Sequence, residues 1–299
     1  MNSYVARSFP LEEEYKKRTG ITPQDIARLR KWLATQPHLP QHITDLDLIL
    51  SFHSCKRCME STKKLLDTHY TMKTNFTALF KNRVVDDKIE LILKRVLLNP
   101  LPTRTKDGDA ILYTRLLDTD PKNYLFQESL RAVLMLLELW QYEEGTWPGL
   151  IIVYDLSGLK FGHIVKLEME TVRQFLTFLD EAIFIKIKSI HILNAPFFID
   201  YLLTLVKKFV RSDLLEVFNI HQDGPKSIKN VIDVAALPKE SGGSYKTYEE
   251  CKEETFLKMT ANKEFFVMEN KKRVNECLRP DTKRPLDVPK KHPNKYEIQ

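Results

Sequence analysis

An α/β fold is predicted for this 299-residue chain: an all-α helical bundle, then a domain in which helices cover a mostly parallel sheet. Three observations carry the prediction. Two short runs, Leu150–Leu156 and Ile190–Leu193, are apolar nearly throughout and stop at turn formers, Asp155-Leu156-Ser157-Gly158 and Asn194-Ala195-Pro196, as strands buried on both faces do. A long helical pattern separates them, so strand, crossover helix and strand form a βαβ unit with parallel pairing. Upstream, no glycine occurs between Gly20 and Gly108, as suits a compact helical unit.

The helices begin at Thr22, Pro23 and Asp25, an N-cap, a proline at N1 and an acid at N3. Ile26, Leu29 and Leu33 line one face until Pro37 ends the element. Asp45–Phe52 and Glu60–Asn75 are the next helices, and Phe76–Phe80 and Asp86–Leu98 continue the pattern. The turn-rich stretch from Pro100 to Asp109 is a link, with the domain boundary just before it. Ile111–Leu117 is then expected as the first strand of the second domain, followed by a helix over Leu125–Trp140 with Leu130, Val133, Leu134 and Leu137 on one side. Met169, Val172, Phe175, Leu176, Leu179 and Ile183 give the crossover helix its period. A strand over Leu215–Ile220 and a short helix from Ser227 follow the second apolar strand. Tyr248–Leu278 is charged and helical by period, and prolines at 280, 285, 289 and 293 exclude a helix beyond it. The expected organisation is an N-terminal extension over 1–20, a helical bundle over 21–99, the αβ domain over 100–246, a helical segment over 247–279 and a basic disordered tail over 280–299.

Phe197–Arg211 stands apart. Asp200, Thr204, Lys207, Lys208 and Arg211 make one narrow polar stripe on a helix that is otherwise apolar. Such a helix is either wholly buried or has two apolar surfaces to satisfy, as a lid over an apolar cavity that also touches a membrane would have.

Bulk composition narrows the function classes. With 43% hydrophobic and 29% charged residues the chain reads as a soluble globular protein, and no apolar run approaches the ~18 residues of a membrane-spanning helix. The N-terminus lacks the apolar core of a secretion signal, and four scattered cysteines make no disulfide framework, so a reducing cytoplasmic setting is expected. The net charge of +6 belongs mostly to the tail: residues 271–299 hold nine Lys/Arg and four Asp/Glu, leaving +5 there and about +1 elsewhere. Adhesion to an anionic surface suits that tail better than nucleic acid, since only Tyr296 is aromatic within the basic tract.

No catalytic constellation emerges. There is no Gly-x-Ser-x-Gly elbow, and Gly158 and Gly162 do not make a dinucleotide-binding loop. Asp155, at a strand end, reads as a turn cap, and His191, within an apolar strand, as a hydrogen-bonded core histidine. His53, Cys55, Cys58 and His69 are ligands of the right type for zinc, but no second half-site accompanies them, so the cysteines are read as structural. No enzyme activity, cofactor or metal is expected.

Four stretches in order, Asp155-Leu156-Ser157-Gly158, Ile190 to Pro196, Val206-Lys207-Lys208-Phe209-Val210 and Leu237-Pro238-Lys239-Glu240-Ser241-Gly242-Gly243, resemble successive landmarks of the CRAL-TRIO (Sec14-like) lipid-transfer proteins. The texture is nearest to insect members named alpha-tocopherol-transfer-protein-like, and Cys55-Lys56, Met59-Glu60, Thr62-Lys63-Lys64 and Leu66-Asp67 continue the match in the bundle. The resemblance covers about residues 20–250. It implies an apolar cavity under a mobile lid and non-enzymatic intracellular transfer of a small hydrophobic ligand of tocopherol, retinoid, carotenoid or terpenoid type. It further implies a cytoplasmic, peripherally membrane-associated monomer with no nucleic-acid partner. The alternative is a phosphoinositide- or phospholipid-binding membrane adaptor without cargo.

The residues implied for the pocket wall are Val133, Leu137, Ile151, Val153, Phe161, Phe175, Leu176, Leu179, Ile183 and Ile192, with Tyr113, Tyr124 and Ser129 as polar anchors. The lid and membrane surface would be Phe197, Phe198, Ile199, Leu202, Leu203, Val206 and Phe209. Some members grip a phosphoinositide head group beside the lid. Here Lys186 and Lys188 stand at basic positions of that pattern, Cys55, Asp213 and Val217 replace others, and Lys56, Lys207, Lys208 and Arg211 would compensate. Lys208 for the usual proline and Ser241 for the usual tyrosine are further departures.

Overall fold

A computed structural model describes residues 4–209, 215–222 and 224–280. The bundle is built from α1 (Leu11–Lys16), α2 (Pro23–Leu33), α3 (Asp45–Ser54), α4 (Met59–Asn75), α5 (Thr77–Phe80) and α6 (Asp87–Arg95). Thr22 and Asp25 close a capping box on α2, and Thr44 and Asp47 close a second on α3, which sequence inspection had not identified. Behind these starts, Leu29, Leu33, Leu48, Ile49, Leu66 and Tyr70 interlock in one buried cluster.

The last expected bundle helix, Asp86–Leu98, is half right. Its helix stops at Arg95, and the chain turns directly into β1 (Val96–Pro100). Val96 continues the apolar face of Ile89, Ile92 and Leu93, so periodicity alone shows no break. The pairing Val96↔Leu116, Leu97↔Arg115 and Leu98↔Thr114 with β2 (Ala110–Leu116) supplies ladder bonds in place of helical ones. The sheet therefore begins at residue 96, ahead of the boundary expected at 100, and Ile111–Leu117 belongs to its second strand.

The sheet runs in sequence order β1-β2-β3-β4-β5, with β3 at Leu150–Asp155, β4 at Ile187–Leu193 and β5 at Phe218–Ile220. Among the described residues only the β1–β2 pair is antiparallel. The crossovers are α7 (Phe126–Glu144), between β2 and β3, and α8 (Phe161–Ile164) with α9 (Met169–Glu181), between β3 and β4. The expected strand over Leu215–Ile220 is short because residues 215–217 lie outside it, and the expected helix from Ser227 is a 3-10 turn over Pro225–Ile228. α10 (Ile199–Lys207) follows β4.

The expected helix Tyr248–Leu278 breaks in two, α11 (Tyr248–Ala261) and α12 (Lys263–Lys271), with a 3-10 turn over Glu276–Leu278. Asn262 makes the break: its Nδ2 donates to Lys258 O and to Tyr4 O, each at 2.7 Å, while its Oδ1 accepts Ala6 N–H at 2.7 Å. The N-terminal segment is thereby tied to the C-terminal helices, and Phe9 N–H reaches Tyr142 O at 2.7 Å. Arg279 closes the other end: its Nη1 donates to both carboxylate oxygens of Asp67 on α4, at 2.7 and 2.9 Å. The expected disordered tail, apart from Pro280, lies outside the described residues.

Candidate functional site

Strand alternation divides the sheet into two unlike faces. Leu112, Ile152, Ile190 and Phe218 align across β2 to β5, as do Thr114, Tyr154, Ile192 and Ile220. The apolar members of this face meet α7, α9 and the start of α10. The intervening residues, Ile111, Tyr113, Ile151 and Val153, point the other way and pack with Leu193, Ile228, Ile232, Leu237 and Cys251.

Among the described residues the two faces of β3 are covered unequally. β3 is an inner strand, and its back-facing Ile151 and Val153 are 5% and 0% exposed. Ile152 and Tyr154, flanked by β2 and β4 and overlaid by helices, are nonetheless only half-buried. An inner-strand side chain under a helical layer is left half-covered when the layer does not close on it. Tyr124, Val133, Phe175, Leu202 and Leu203 surround the same face and are half-buried as well. This ring of incompletely covered apolar groups is the candidate pocket.

Its polar anchor differs from expectation. Burial raises the pKa of Tyr124 and of Tyr154, and each phenol lies near enough to shift the other's, so both stay protonated. Tyr154 was not anticipated, because Leu150–Leu156 reads as uniformly apolar and such a run does not say which residues share a face. Ser129 spends its hydroxyl on Leu125 O at 2.8 Å, within α7.

The other expected wall residues separate. Tyr113, Ile151 and Val153 lie on the opposite face, a correction that follows from the two-residue side-chain period. Leu137 and Ile183 line a different cavity, of about 670 Å³, with Tyr70, Lys73, Phe178 and Phe265 between the bundle, α7 and α12. Leu176 and Leu179 are buried, at 7% and 4% exposure. Phe161 leaves the wall altogether and sits 51% exposed on the surface. Tyr124, Val133, Phe175 and Ile192 come together on the lid-facing side.

Behind the sheet lies a buried polar network. Tyr113 Oη donates to Asp155 Oδ2 at 2.8 Å, and Arg115 reaches the same oxygen at 3.1 Å. Asp155 Oδ1 accepts from Asn194 Nδ2 at 2.8 Å and from Ser157 N–H and Oγ at 2.9 and 2.7 Å. Ser241 joins Tyr113 and Tyr248, each at 2.7 Å. Burial alone would raise the Asp155 pKa, but these bonds, first from Asn194 and Ser157, hold it below the ordinary value. Asp155 is the turn cap expected of it, and every oxygen is occupied. His191 is likewise engaged: Nδ1 meets His221 Nε2 at 3.0 Å and Nε2 meets Ser189 Oγ at 3.0 Å. Among the described residues no group of three potential metal ligands forms, so His53, Cys55, Cys58 and His69 do not assemble.

α10 carries its polar stripe where expected, with Asp200, Thr204, Lys207 and Lys208 exposed. Its apolar residues need one correction. Ile199 is buried at 9% and, with the half-buried Leu202 and Leu203, packs on the core over the sheet; Phe198, Val206 and Phe209 are half-buried as well. The outward groups are instead Phe197, at 96% exposure, and Tyr201, at 52%. Phe161 stands 5.8 Å from Phe198 and 5.9 Å from Tyr201, ring to ring, so α8 and α10 share one exposed aromatic surface, with Val165 beside Phe161 in the chain.

The basic residues fall into two places. Lys186 senses Lys188 and Lys56 as like charges, which together with burial lowers its pKa; burial is the larger cause. Lys207 and Lys208 stand at the end of α10, and Arg211 lies outside the described residues.

Residues 94–243 match the CRAL/TRIO domain, and residues 20–89 match the Pinta-like, UBA domain. Clavesin-1 of Mus musculus is 26% identical over 242 residues, 79% of this chain and 68% of that protein. Clavesin-1 of Xenopus laevis is 27% identical over 232 residues, 76% and 69% of the two chains. The human alpha-tocopherol transfer protein-like chain is 23% identical over 234 residues, 78% and 68%. The crystal structure of Sfh5 superposes with a TM-score of 0.48 at 14% identity, over 76% of this chain and 89% of that one.

Proposed function

This chain belongs to the CRAL/TRIO family, and from that premise we propose that it binds a small hydrophobic molecule between its sheet and α10 and exchanges it at membranes, without catalysing a reaction. The observation that carries the reading is the half-covered pair Ile152 and Tyr154 on an inner strand. A guest seated there removes their remaining apolar surface from water, worth about 25 cal/mol per Å². The Tyr124–Tyr154 pair offers one polar contact, which suits a ligand with a single hydroxyl or carbonyl on an apolar body. Tocopherol, retinoid, carotenoid and terpenoid molecules are of this kind, and the name of one relative carries tocopherol.

Exchange requires α10 to move. Phe161, Val165, Phe197 and Tyr201 present apolar surface to the outside, and their insertion among lipid head groups would compensate for the contacts that Leu202 and Leu203 give up as the helix lifts. No described helix is long and apolar enough to cross a membrane, so contact through this surface is peripheral. The setting proposed is cytoplasmic, and the protein acts as a monomer.

Native mass spectrometry on protein from its own tissue, with identification of whatever co-purifies, is the direct test. One stoichiometric hydrophobic molecule supports the carrier. An empty protein that still binds anionic vesicles supports the second reading, a phosphoinositide-binding adaptor without cargo. The clustering of Lys56, Lys186 and Lys188 favours that alternative. Loss of vesicle binding on Lys186→Glu and Lys188→Glu would assign it to this cluster.

A further inference from the structure

The turn joining α3 to α4 places two cysteines three residues apart in an unusual backbone. Cys58 N–H donates to Cys55 O at 3.0 Å, closing a β-turn around Lys56 and Arg57. Both central residues have positive φ, 50° and 63°, a combination that non-glycine residues rarely adopt. The turn is held from inside the bundle: Lys56 N–H donates to His53 O at 3.0 Å, and Arg57 N–H to Phe52 O at 2.9 Å. A β-turn keeps its outer Cα atoms within about 7 Å. A disulfide spans about 4.4–6.8 Å between Cα atoms, so the turn brings the two Cα atoms to bridging range.

The two thiols are not equivalent. Cys58 is exposed at the start of α4, and its Sγ accepts a hydrogen bond from Ser61 Oγ at 3.2 Å. That bond is the leading reason its pKa lies below the ordinary thiol value. Cys55 is half-buried against the bundle core. Of the remaining cysteines, Cys251 is buried on the back of the sheet and Cys277 is exposed in the C-terminal 3-10 turn.

We propose that Cys55 and Cys58 are a reversible dithiol–disulfide couple, with Cys58 the attacking thiol and Cys55 the resolving one. With glutathione disulfide as oxidant, the Cys58 thiolate attacks one glutathione sulfur, forms a mixed disulfide and expels one glutathione thiolate. The Cys55 thiolate then attacks the Cys58 sulfur, forms the intramolecular disulfide and expels the second glutathione. Two protein thiols are oxidised, one glutathione disulfide is reduced, and the protons pass through solvent to the two departing thiolates. The product ring encloses Lys56, whose charge is felt at Lys186, and so fixes the backbone that presents this lysine.

The test uses the full chain carrying Cys277→Ser, equilibrated in mixtures of reduced and oxidised glutathione and then alkylated. At the oxidising end, intact mass should fall by two hydrogens, with Cys55 and Cys58 protected from alkylation. Adding Cys55→Ser should trap glutathione on Cys58, whereas Cys58→Ser should leave Cys55 modified far more slowly. Cys55 and Cys58 both remaining alkylatable at the oxidising end would overturn the proposal, as would a stable mixed disulfide on the chain retaining both cysteines. The mass readout needs no substitution in the turn, so failure of either serine variant to fold leaves it intact.

Discussion

Tyr113 and Asp155, on adjacent parallel strands, are joined by a 2.8 Å hydrogen bond on the side of the sheet that faces away from α10. The phenol therefore ties the strand carrying the candidate pocket to its neighbour, from the face opposite that pocket. Tyr113→Phe should cost about 1–2 kcal/mol, since Asp155 keeps Arg115, Asn194 and Ser157. Asp155→Ala removes the buried carboxylate that the half-buried Arg115 shares with Tyr113, Asn194 and Ser157, and should cost about 3 kcal/mol. Chemical denaturation measures both, and Tyr113→Phe should leave ligand affinity unchanged.

Substitutions on the near face should do the reverse. Ile152→Trp fills the half-covered space and should abolish ligand stoichiometry while the fold is retained. Tyr154→Phe removes one member of the phenol pair and should weaken binding about tenfold, equivalent to ~1.4 kcal/mol. Fluorescence titration with a retinoid or tocopherol analogue gives both values, and unchanged affinity in Ile152→Trp would place the ligand elsewhere.

The aromatic surface should govern kinetics rather than affinity. Burying a ring in a membrane interface contributes about 1.5–3 kcal/mol. The double variant Phe197→Asp, Tyr201→Asp should therefore lose more than tenfold in vesicle-to-vesicle transfer rate while retaining equilibrium binding in solution. Equal rates for the variant and the parent chain would remove α10 from the membrane contact.

Stability should fall on mild acidification. Burial, then the neighbouring Lys73, brings the pKa of His69 down to about 3, and burial, then His221, brings that of His191 down to about 4. Each is 6.5 in the unfolded chain, so the unfolded state binds more protons between these limits. The contribution is complete above pH 6.5 and is lost as pH falls from there toward 4. Urea midpoints at pH 7.5, 5.5 and 4.5 should decrease in that order, and His191→Gln should flatten part of the slope.

Local chemistry announced much of the architecture. Thr22, Pro23 and Asp25 mark a helix start whatever surrounds them, because the cap is satisfied within four residues. The βαβ unit was equally plain, since Leu150–Leu156 and Ile190–Leu193 are short apolar runs stopped by turn formers, and they fall on β3 and β4. The polar stripe of α10 was visible for the same reason: a 3.6-residue period needs no partner to be seen.

What depends on a partner was not visible. Val96–Pro100 continues the apolar period of α6 and becomes a strand only because Leu116 and its neighbours offer a ladder. The same limit governed the site: a run apolar at every position carries no alternation, so Tyr113, Ile151 and Val153 were grouped with Ile192 although the pleat sends them to the other face. Residue type and spacing thus settled the capped helices, the two inner strands of the βαβ unit and which family's landmarks the chain carries. Register and the covering helices decided which side chains meet, because a two-residue period reverses direction at every step and only pairing fixes its phase.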